Sequence, residues 1–309
     1  MFKFFQNLGR SLMLPVAVLP AGAIITGIGN LLNALHVLPT VAMFFSIVGT
    51  AILGQLGLIF AIGVAIGMAK KNDGAVALAG ALGYAMVTKV LKPENVATLF
   101  NIKEKAVNLG FTKMDNSNVF LGIIIGLIAA YSFNKFSEVE LPMALSFFSG
   151  KRLVPIMTVF FSTILAVILL FIWPMVFSGI VAFGEWLVGF GSFGAFLYGV
   201  FNRLLIPTGL HHALNAVFWF DTAGINDIGK FQTGVDAVKG ITGRYQAGFF
   251  PIMMFGIPAA ALAMYHSAET KQQKQVWGWF LASAISAFVV GVTEPIEFAF
   301  MFVAPVLFI

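Results

Sequence analysis

The chain has 309 residues, of which 59% are hydrophobic and only 10% are charged, and its mean hydropathy is +0.94. A soluble domain carries roughly 25% charged residues, so the composition excludes a soluble enzyme. The net charge of +5 is small for the length and indicates no nucleic-acid binding, and the lack of cysteine excludes disulfides, thiolate metal sites and a thiol nucleophile.

Long uncharged stretches predict membrane spans. No Asp, Glu, Lys or Arg occurs between Arg10 and Lys70, and a second uncharged stretch separates Arg152 from Glu185. A helix needs about 20 apolar residues to cross a hydrocarbon core of about 30 Å, so the first stretch accommodates two spans. The predicted spans lie near 11–35, 42–69, 75–91, 118–134, 153–180, 192–206, 246–267 and 274–292, whereas segment 298–309 is too short to cross. The sequence therefore predicts an all-α polytopic membrane protein.

The basic residues predict an orientation in the membrane. Short cytoplasmic loops are enriched in lysine and arginine. An N-terminus inside the cell places most of them in the cytoplasm: Lys3, Arg10, Lys70, Lys71, Lys135, Lys151 and Arg152. The lysine-containing segment 89–113 then lies outside, against this rule. The apolar stretch after Arg10 exceeds the length of a cleavable signal peptide, so we interpret it as a membrane span.

Two polar connections have more than one interpretation. Segment 137–152 has charged ends and an apolar middle, which is typical of an amphipathic element at the membrane interface that joins two groups of helices. An ordinary loop with apolar contacts fits it equally well. Segment 221–245 is the longest polar stretch in the second half of the chain, and it agrees with either a lid or a solvated connection.

Two further segments place costly residues inside apolar sequence. Residues 203–215 read RLLIPTGLHHALN, in which a proline and a glycine precede two histidines, and residues 291–298 read GVTEPIEF. Ionisable groups in a bilayer face protein or water, and irregular backbone at membrane depth occurs only beside protein or a water-filled cavity. Two separate broken helices therefore predict the binding site of a transporter.

The polar groups of these segments suit a sugar, because carboxylates accept hydrogen bonds from hydroxyls while imidazole and amide groups both donate and accept. The candidate substrate-binding residues are Arg203, His211, His212, Asn215, Thr293, Glu294 and Glu297. Aromatic residues nearby that can stack on a sugar ring are Phe218, Trp219, Phe298 and Phe302.

Structural interpretations stay open for single members of this set. Adjacent His211 and His212 point to different faces, so we expect at most one to face a ligand. Arg203 can pair with a carboxylate purely to be tolerated in the membrane, and Glu297 can bind only backbone. The spacing of His and Glu fits no zinc pattern, so we expect no metal site.

These motifs resemble the membrane-spanning enzyme IIC of the bacterial phosphotransferase system, in the glucose and N-acetylglucosamine superfamily. The segments that carry the resemblance follow the family's order over nearly the whole chain: 9–20 (GRSLMLPVAVLP), 150–155 (GKRLVP), 203–215, 249–256 (FFPIMMFG) and 293–297 (TEPIE). Segments 203–211 and 248–258 are more similar to the N-acetylglucosamine branch than to the glucose branch.

The resemblance implies an architecture and a location. It implies a homodimer in the bacterial cytoplasmic membrane whose mobile domain carries the sugar inward through two re-entrant hairpins near 208–220 and 293–309. The implied division is into N-terminal scaffold helices (1–136), an amphipathic connector (137–152), a fifth scaffold helix (153–180) and a sugar-binding transport domain (181–309). The family's domain continues through further helices, so the chain corresponds to about three quarters of it and is expected to be incomplete at its C-terminus.

The resemblance also implies roles for single residues. His211 and Glu294 correspond to the family's sugar-contacting histidine and glutamate, with Arg203 in support, and Glu294 is the expected catalytic residue. The sugar, N-acetylglucosamine or glucose, is phosphorylated on its 6-hydroxyl by a phosphorylated enzyme IIB partner, which Lys151 and Arg152 are expected to face. The chain has no cysteine to carry the phosphoryl group, and no cofactor is expected.

Two hypotheses from other classes compete with a sugar permease. An ion-coupled transporter or channel would use Glu294 and the histidines as a proton relay. A membrane protein that no longer transports sugar would serve as a docking surface, and the family's longer domain motivates this hypothesis.

Overall fold

The computed structural model describes residues 2–206, 211–219, 225, 227, 230–231 and 236–308. Every regular element in these ranges is a helix, which confirms the prediction of an all-α protein. In chain order the helices include α1 (Phe2–Ala34), α2 (Pro39–Leu53), α3 (Leu56–Met68), α4 (Gly74–Val90), α5 (Pro93–Phe100), α6 (Val119–Phe136), α7 (Leu153–Val188), α8 (Gly191–Leu205), α9 (His211–Phe218), α10 (Phe249–Ser267), α11 (Thr270–Val290), α12 (Glu294–Val303) and α13 (Pro305–Phe308).

Several of these helices are long and apolar enough to cross a membrane. Among the described residues α6, α10 and the segment Gly150–Val188 meet this requirement, and two bent pairs, α2 with α3 and α4 with α5, raise the number to five. The chain is therefore a multi-pass membrane protein, as the composition predicts. The short helices α9 and α12 have 8 and 10 residues. At 1.5 Å per residue neither can cross alone, so the re-entrant hairpins stay a prediction.

Two of the predicted spans differ in detail from the observed helices. The segment predicted as one span over 42–69 is divided into α2 and α3, with a break between Leu53 and Leu56. Here Gln55 precedes α3 without a side-chain cap. The span predicted over 153–180 continues to Val188, because Glu185 lies on the exposed side of α7 and its charge is not buried.

The chain forms two compact units, one of Met1–Pro15 and Gly54–Ser178 and the other of Val16–Leu53 and Gly179–Ile309. We refer to them as the first and second unit. The predicted scaffold, connector and transport domains and their boundaries stay predictions.

The first unit is built on the packing of α3 against α6. A Cβ atom at Gly122 of α6 would lie 2.2 Å from the carbonyl oxygen of Gly57 on α3, so the two backbones are in direct contact. Small residues permit this close approach between membrane helices. The Tyr84 hydroxyl of α4 donates to the carbonyl of Asp115 at 2.9 Å, and the Asn118 side chain accepts from the Leu121 amide to cap α6.

One end of the first unit gathers charged residues between helices. Lys151 Nζ lies 2.5 Å from Asp73 Oδ2, and the Asp73 carboxylate also caps α4 by accepting from the Ala75 amide. Two hydrogen bonds lower the pKa of Asp73 below its usual range. The bond from Lys151 has the larger effect and the bond from the Ala75 amide the smaller one. This pair ties the start of α7 to the start of α4.

The predicted amphipathic connector forms two short 3₁₀ turns, Met143–Phe148 and Gly150–Arg152. Its apolar side chains are exposed, and Met143 is 93% and Phe147 68% accessible. The guanidinium of Arg152 lies 4.8 Å from the centre of the Phe147 ring and donates to the Phe147 carbonyl.

Candidate functional site

The second unit contains a cavity of about 500 Å³. Its walls come from α8, from α9 and Trp219 after it, from residues 244–248, from the start of α10, and from the start of α12 with the residues before it. Ligand cavities for small molecules have about 300–1,000 Å³ and combine apolar walls with a few placed polar groups, so this one is large enough for a monosaccharide.

One face of α8 supplies a wall with both apolar and polar groups. Tyr198, Asn202 and Ile206 follow one another at intervals of four residues, and Gly199 and Arg203 extend the same face. Residues three and four apart lie next to each other on a helix. On α9 the same spacing places His211 and Asn215 together, and both are only 7% exposed.

A buried hydrogen-bond network joins α8 to α9. The Tyr198 hydroxyl donates to Asn215 Oδ1 at 2.7 Å, and Asn202 Nδ2 donates to the same oxygen. Asn202 Nδ2 also lies 3.4 Å from the Tyr198 hydroxyl. The network fixes the position of the Asn215 amide at the cavity wall.

Arg203 links α8 to the two C-terminal helices. Its Nε donates to the carbonyl of Phe308 at 2.9 Å, and its guanidinium lies 4.2 Å from the centre of the Phe308 ring. A second nitrogen of the same group lies 3.4 Å from Glu297 Oε1, and the Thr293 hydroxyl donates to Glu297 Oε2 at 3.0 Å. Glu297 is therefore held by two side chains, so the interpretation that it binds only backbone is wrong.

Glu294 differs from Glu297 although both are on the first turn of α12. Glu294 lines the cavity, and its buried Oε2 has no hydrogen-bond partner among the described residues. A buried polar atom without a partner costs free energy. Glu294 therefore has an acceptor available for a hydroxyl of a ligand.

The aromatic residues divide between the cavity wall and the core. Trp219 lines the cavity and donates through Nε1 to the carbonyl of Tyr245, another wall residue. Phe218 is fully buried, with its ring centre 4.4 Å from that of Tyr198, and Phe298 is also buried. Trp219 is thus the predicted stacking residue that lies at the cavity. Phe302 lies outside the described side chains.

The polar segment 221–245 contributes to the cavity at its end. Asp227 is buried, and its carboxylate accepts from the backbone amides of Gly243 at 2.7 Å and Tyr245 at 3.2 Å. This anchors the turn that presents Arg244 and Tyr245 to the cavity.

The cavity brings together most of the residues that the sequence predicted for a sugar site: Arg203, His211, Asn215, Thr293, Glu294 and Glu297. The side chain of His212 lies outside the described ones. Lys151 and Arg152 belong to the first unit, where each contacts its own unit as described above, and their predicted role toward a partner stays a prediction.

Sequence reasoning missed several wall residues, chiefly Tyr198, Asn202 and Arg244. The first two are uncharged and lie in a segment that reads as an ordinary span. Their spacing of four residues, one turn before the predicted motif, is the signal that would have indicated them.

The fold and the cavity together define a class of protein, a multi-pass helical membrane protein with a cavity lined by polar and aromatic side chains. The comparison with known proteins narrows this class. The family description "Phosphotransferase system, EIIC" matches residues 9–309, and the chain belongs to this family.

Individual relatives agree with the family match. The chain is similar to the PTS system N-acetylglucosamine-specific EIICB component of Bacillus subtilis, with 45% identity over the whole chain and 63% of that protein. The N-acetylglucosamine-specific EIICBA component of Escherichia coli is also 45% identical, over 99% of the chain and 44% of that protein. The glucose-specific EIICBA component of Staphylococcus saprophyticus is 40% identical, over the whole chain and 49% of that protein. The chain thus spans less than two thirds of the length of these relatives.

Proposed function

We propose that this chain is the membrane subunit of a phosphotransferase permease, and that the cavity of the second unit binds N-acetylglucosamine for inward transport. The observation that carries the proposal is the convergence of Glu294, His211 and Asn215 on one cavity beside Trp219. A sugar offers hydroxyls that both donate and accept and a ring face that stacks on an aromatic side chain, and this wall has a partner for each.

The chain supplies binding and orientation, and the partner supplies the phosphoryl group. In the proposed reaction the 6-hydroxyl oxygen of the bound sugar attacks the phosphorus of a cysteine-phosphorylated enzyme IIB. The O–P bond forms as the S–P bond breaks, and the cysteine leaves as a thiolate. Glu294 is proposed to accept the hydroxyl hydrogen bond and its proton, since its buried oxygen has no other partner among the described residues.

The proposed setting is the bacterial cytoplasmic membrane, with a homodimer as the working form. The names of the first two relatives combine the C component with a B component, which supports an enzyme IIB partner for this chain. N-acetylglucosamine is the preferred substrate because both of these relatives are named for it, while the glucose-specific relative is less similar at 40% identity.

Proteoliposomes that contain the chain test this proposal. Labelled N-acetylglucosamine is supplied outside, with phosphorylated or unphosphorylated enzyme IIB inside. We expect labelled sugar 6-phosphate to accumulate only with the phosphorylated partner, and Glu294→Gln and His211→Ala to reduce it strongly. Glu138→Gln is the matched control, because Glu138 is an exposed carboxylate paired with Lys71 in the first unit. The proposal fails if both cavity variants behave as the parent, or if unmodified sugar accumulates and an uncoupler abolishes it.

A further inference from the structure

The network of Tyr198, Asn202 and Asn215 has a directional consequence for the cavity. In an amide side chain the oxygen only accepts and the nitrogen only donates. Asn215 Oδ1 receives the Tyr198 hydroxyl at 2.7 Å and Asn202 Nδ2. These two donors occupy both lone pairs of the oxygen, so it has no further capacity for a ligand.

The nitrogen of the same amide is in the opposite situation. Nδ2 lies on the other branch of the planar group, and none of the described residues supplies a hydrogen-bond acceptor for it. Because Asn215 forms part of the cavity wall, its two N–H groups are available to the cavity. Asn215 is therefore presented to a ligand as a donor only.

We propose that Asn202 and Tyr198 are positioning residues that make Asn215 selective for a hexose with an acetamido group over one with a hydroxyl at the same carbon. This inference rests on the proposed function, and it assigns recognition of the acetamido group to the side-chain amide of Asn215. The acetamido carbonyl oxygen is an acceptor only, and it matches the fixed donor of Asn215. A hydroxyl donates or accepts, so it gains less from an amide of fixed orientation.

The residues that impose the orientation are well suited to hold it. Asn202 is 2% and Tyr198 1% exposed, so water does not compete for their hydrogen bonds. The Tyr198 ring packs against Phe218, and Phe218 packs in turn against Tyr245, with ring centres 4.4 Å and 4.6 Å apart. Asn202 and Tyr198 both belong to α8, where their spacing of four residues places them next to each other on one face.

Reversing the donor at position 202 tests the proposal. Asn202→Asp has nearly the same shape but only acceptors, so it draws Asn215 Nδ2 toward itself and turns Oδ1 to the cavity. A carbonyl oxygen then faces the acetamido oxygen. The loss of one buried hydrogen bond together with an unsatisfied acceptor lowers the preference for N-acetylglucosamine over glucose by about ten- to hundredfold.

The measurement is the pair of dissociation constants for N-acetylglucosamine and glucose on the purified full chain in detergent, by calorimetry or competition. Tyr198→Phe is the second variant, because it keeps the ring that packs on Phe218 and removes one of the two donors. We expect it to reduce the preference by about threefold, since one hydrogen bond then still holds the amide.

The outcomes separate the inference from the proposed function. A preference that collapses in Asn202→Asp and falls partly in Tyr198→Phe supports the inference. An unchanged or increased preference, or an equal loss of affinity for both sugars, overturns it and leaves sugar binding intact. If the parent chain binds neither sugar, the proposed function fails and the inference fails with it.

Discussion

Arg203 is predicted to stabilise the C-terminal part of the second unit, and the size of its contribution follows from its contacts. A hydrogen bond to a charged group contributes about 1.5–3 kcal/mol, and here Nε binds the Phe308 carbonyl at 2.9 Å. Stacking on the Phe308 ring adds about 0.5–1 kcal/mol. The ion pair with Glu297 is long at 3.4 Å, and the Arg203 side chain is 34% exposed, so we count it at no more than about 1 kcal/mol.

These contributions are not additive, and we expect Arg203→Met to destabilise the chain by about 2–4 kcal/mol. At about 2 °C per kcal/mol for a chain of this size, the Tm falls by about 4–8 °C in a thermal unfolding assay in detergent. Arg152→Met is the matched control. Its guanidinium also donates to a backbone carbonyl and stacks on a phenylalanine, but in an exposed place, so its loss costs less than about 1 kcal/mol.

A double-mutant cycle isolates the ion pair. Glu297 is buried, so removing the Arg203 guanidinium leaves its carboxylate charge uncompensated. In the Glu297→Gln background the side chain at this position is neutral, and this cost is absent. Arg203→Met should therefore cost about 1 kcal/mol less in the Glu297→Gln background than in the parent. Equal costs in both backgrounds, within about 0.5 kcal/mol, would refute the reasoning that Arg203 compensates Glu297.

Three further predictions concern single contacts. Gly122→Ala forces the α3 and α6 backbones apart and should lower the Tm by several degrees, since overpacking costs about 1–3 kcal/mol. Gly278→Ala is the control, because open space surrounds its Cβ. Equal Tm values for the two variants would contradict the close packing of α3 against α6. Open space surrounds a Cβ added at Gly199 on the cavity wall. Gly199→Leu should therefore abolish sugar-dependent stabilisation while the Tm without sugar stays within about 2 °C, and retained sugar binding would place the ligand elsewhere. Because Lys151 lowers the pKa of Asp73, the stability from this pair is present above the ordinary aspartate pKa of about 3.9 and is lost as the pH falls through the lowered folded value. The parent should then lose more stability than Lys151→Met between about pH 5 and the acid limit of the assay, and parallel pH profiles would contradict this.

The sequence predicted the fold class and most of the cavity because charge is costly in a membrane. Arg203, Glu294 and Glu297 stand out in apolar sequence, and the structure places all three at one cavity. Tyr198 and Asn202 carry no charge, and only the packing of α8 against α9 gives them a role. The sequence also could not predict where α7 ends. Glu185 bounds the uncharged stretch that predicted a span, but it lies exposed on a helix that continues to Val188.

The central claim is that the cavity of the second unit holds a sugar, and equilibrium binding of labelled N-acetylglucosamine to the purified chain tests it most directly. We predict saturable binding to the parent and to the control Glu138→Gln. In Glu294→Gln the loss of a charge-assisted hydrogen bond should weaken binding by about tenfold or more. Binding of equal affinity in all three proteins would contradict the assignment of Glu294, and a folded parent chain that binds no sugar would contradict the claim itself.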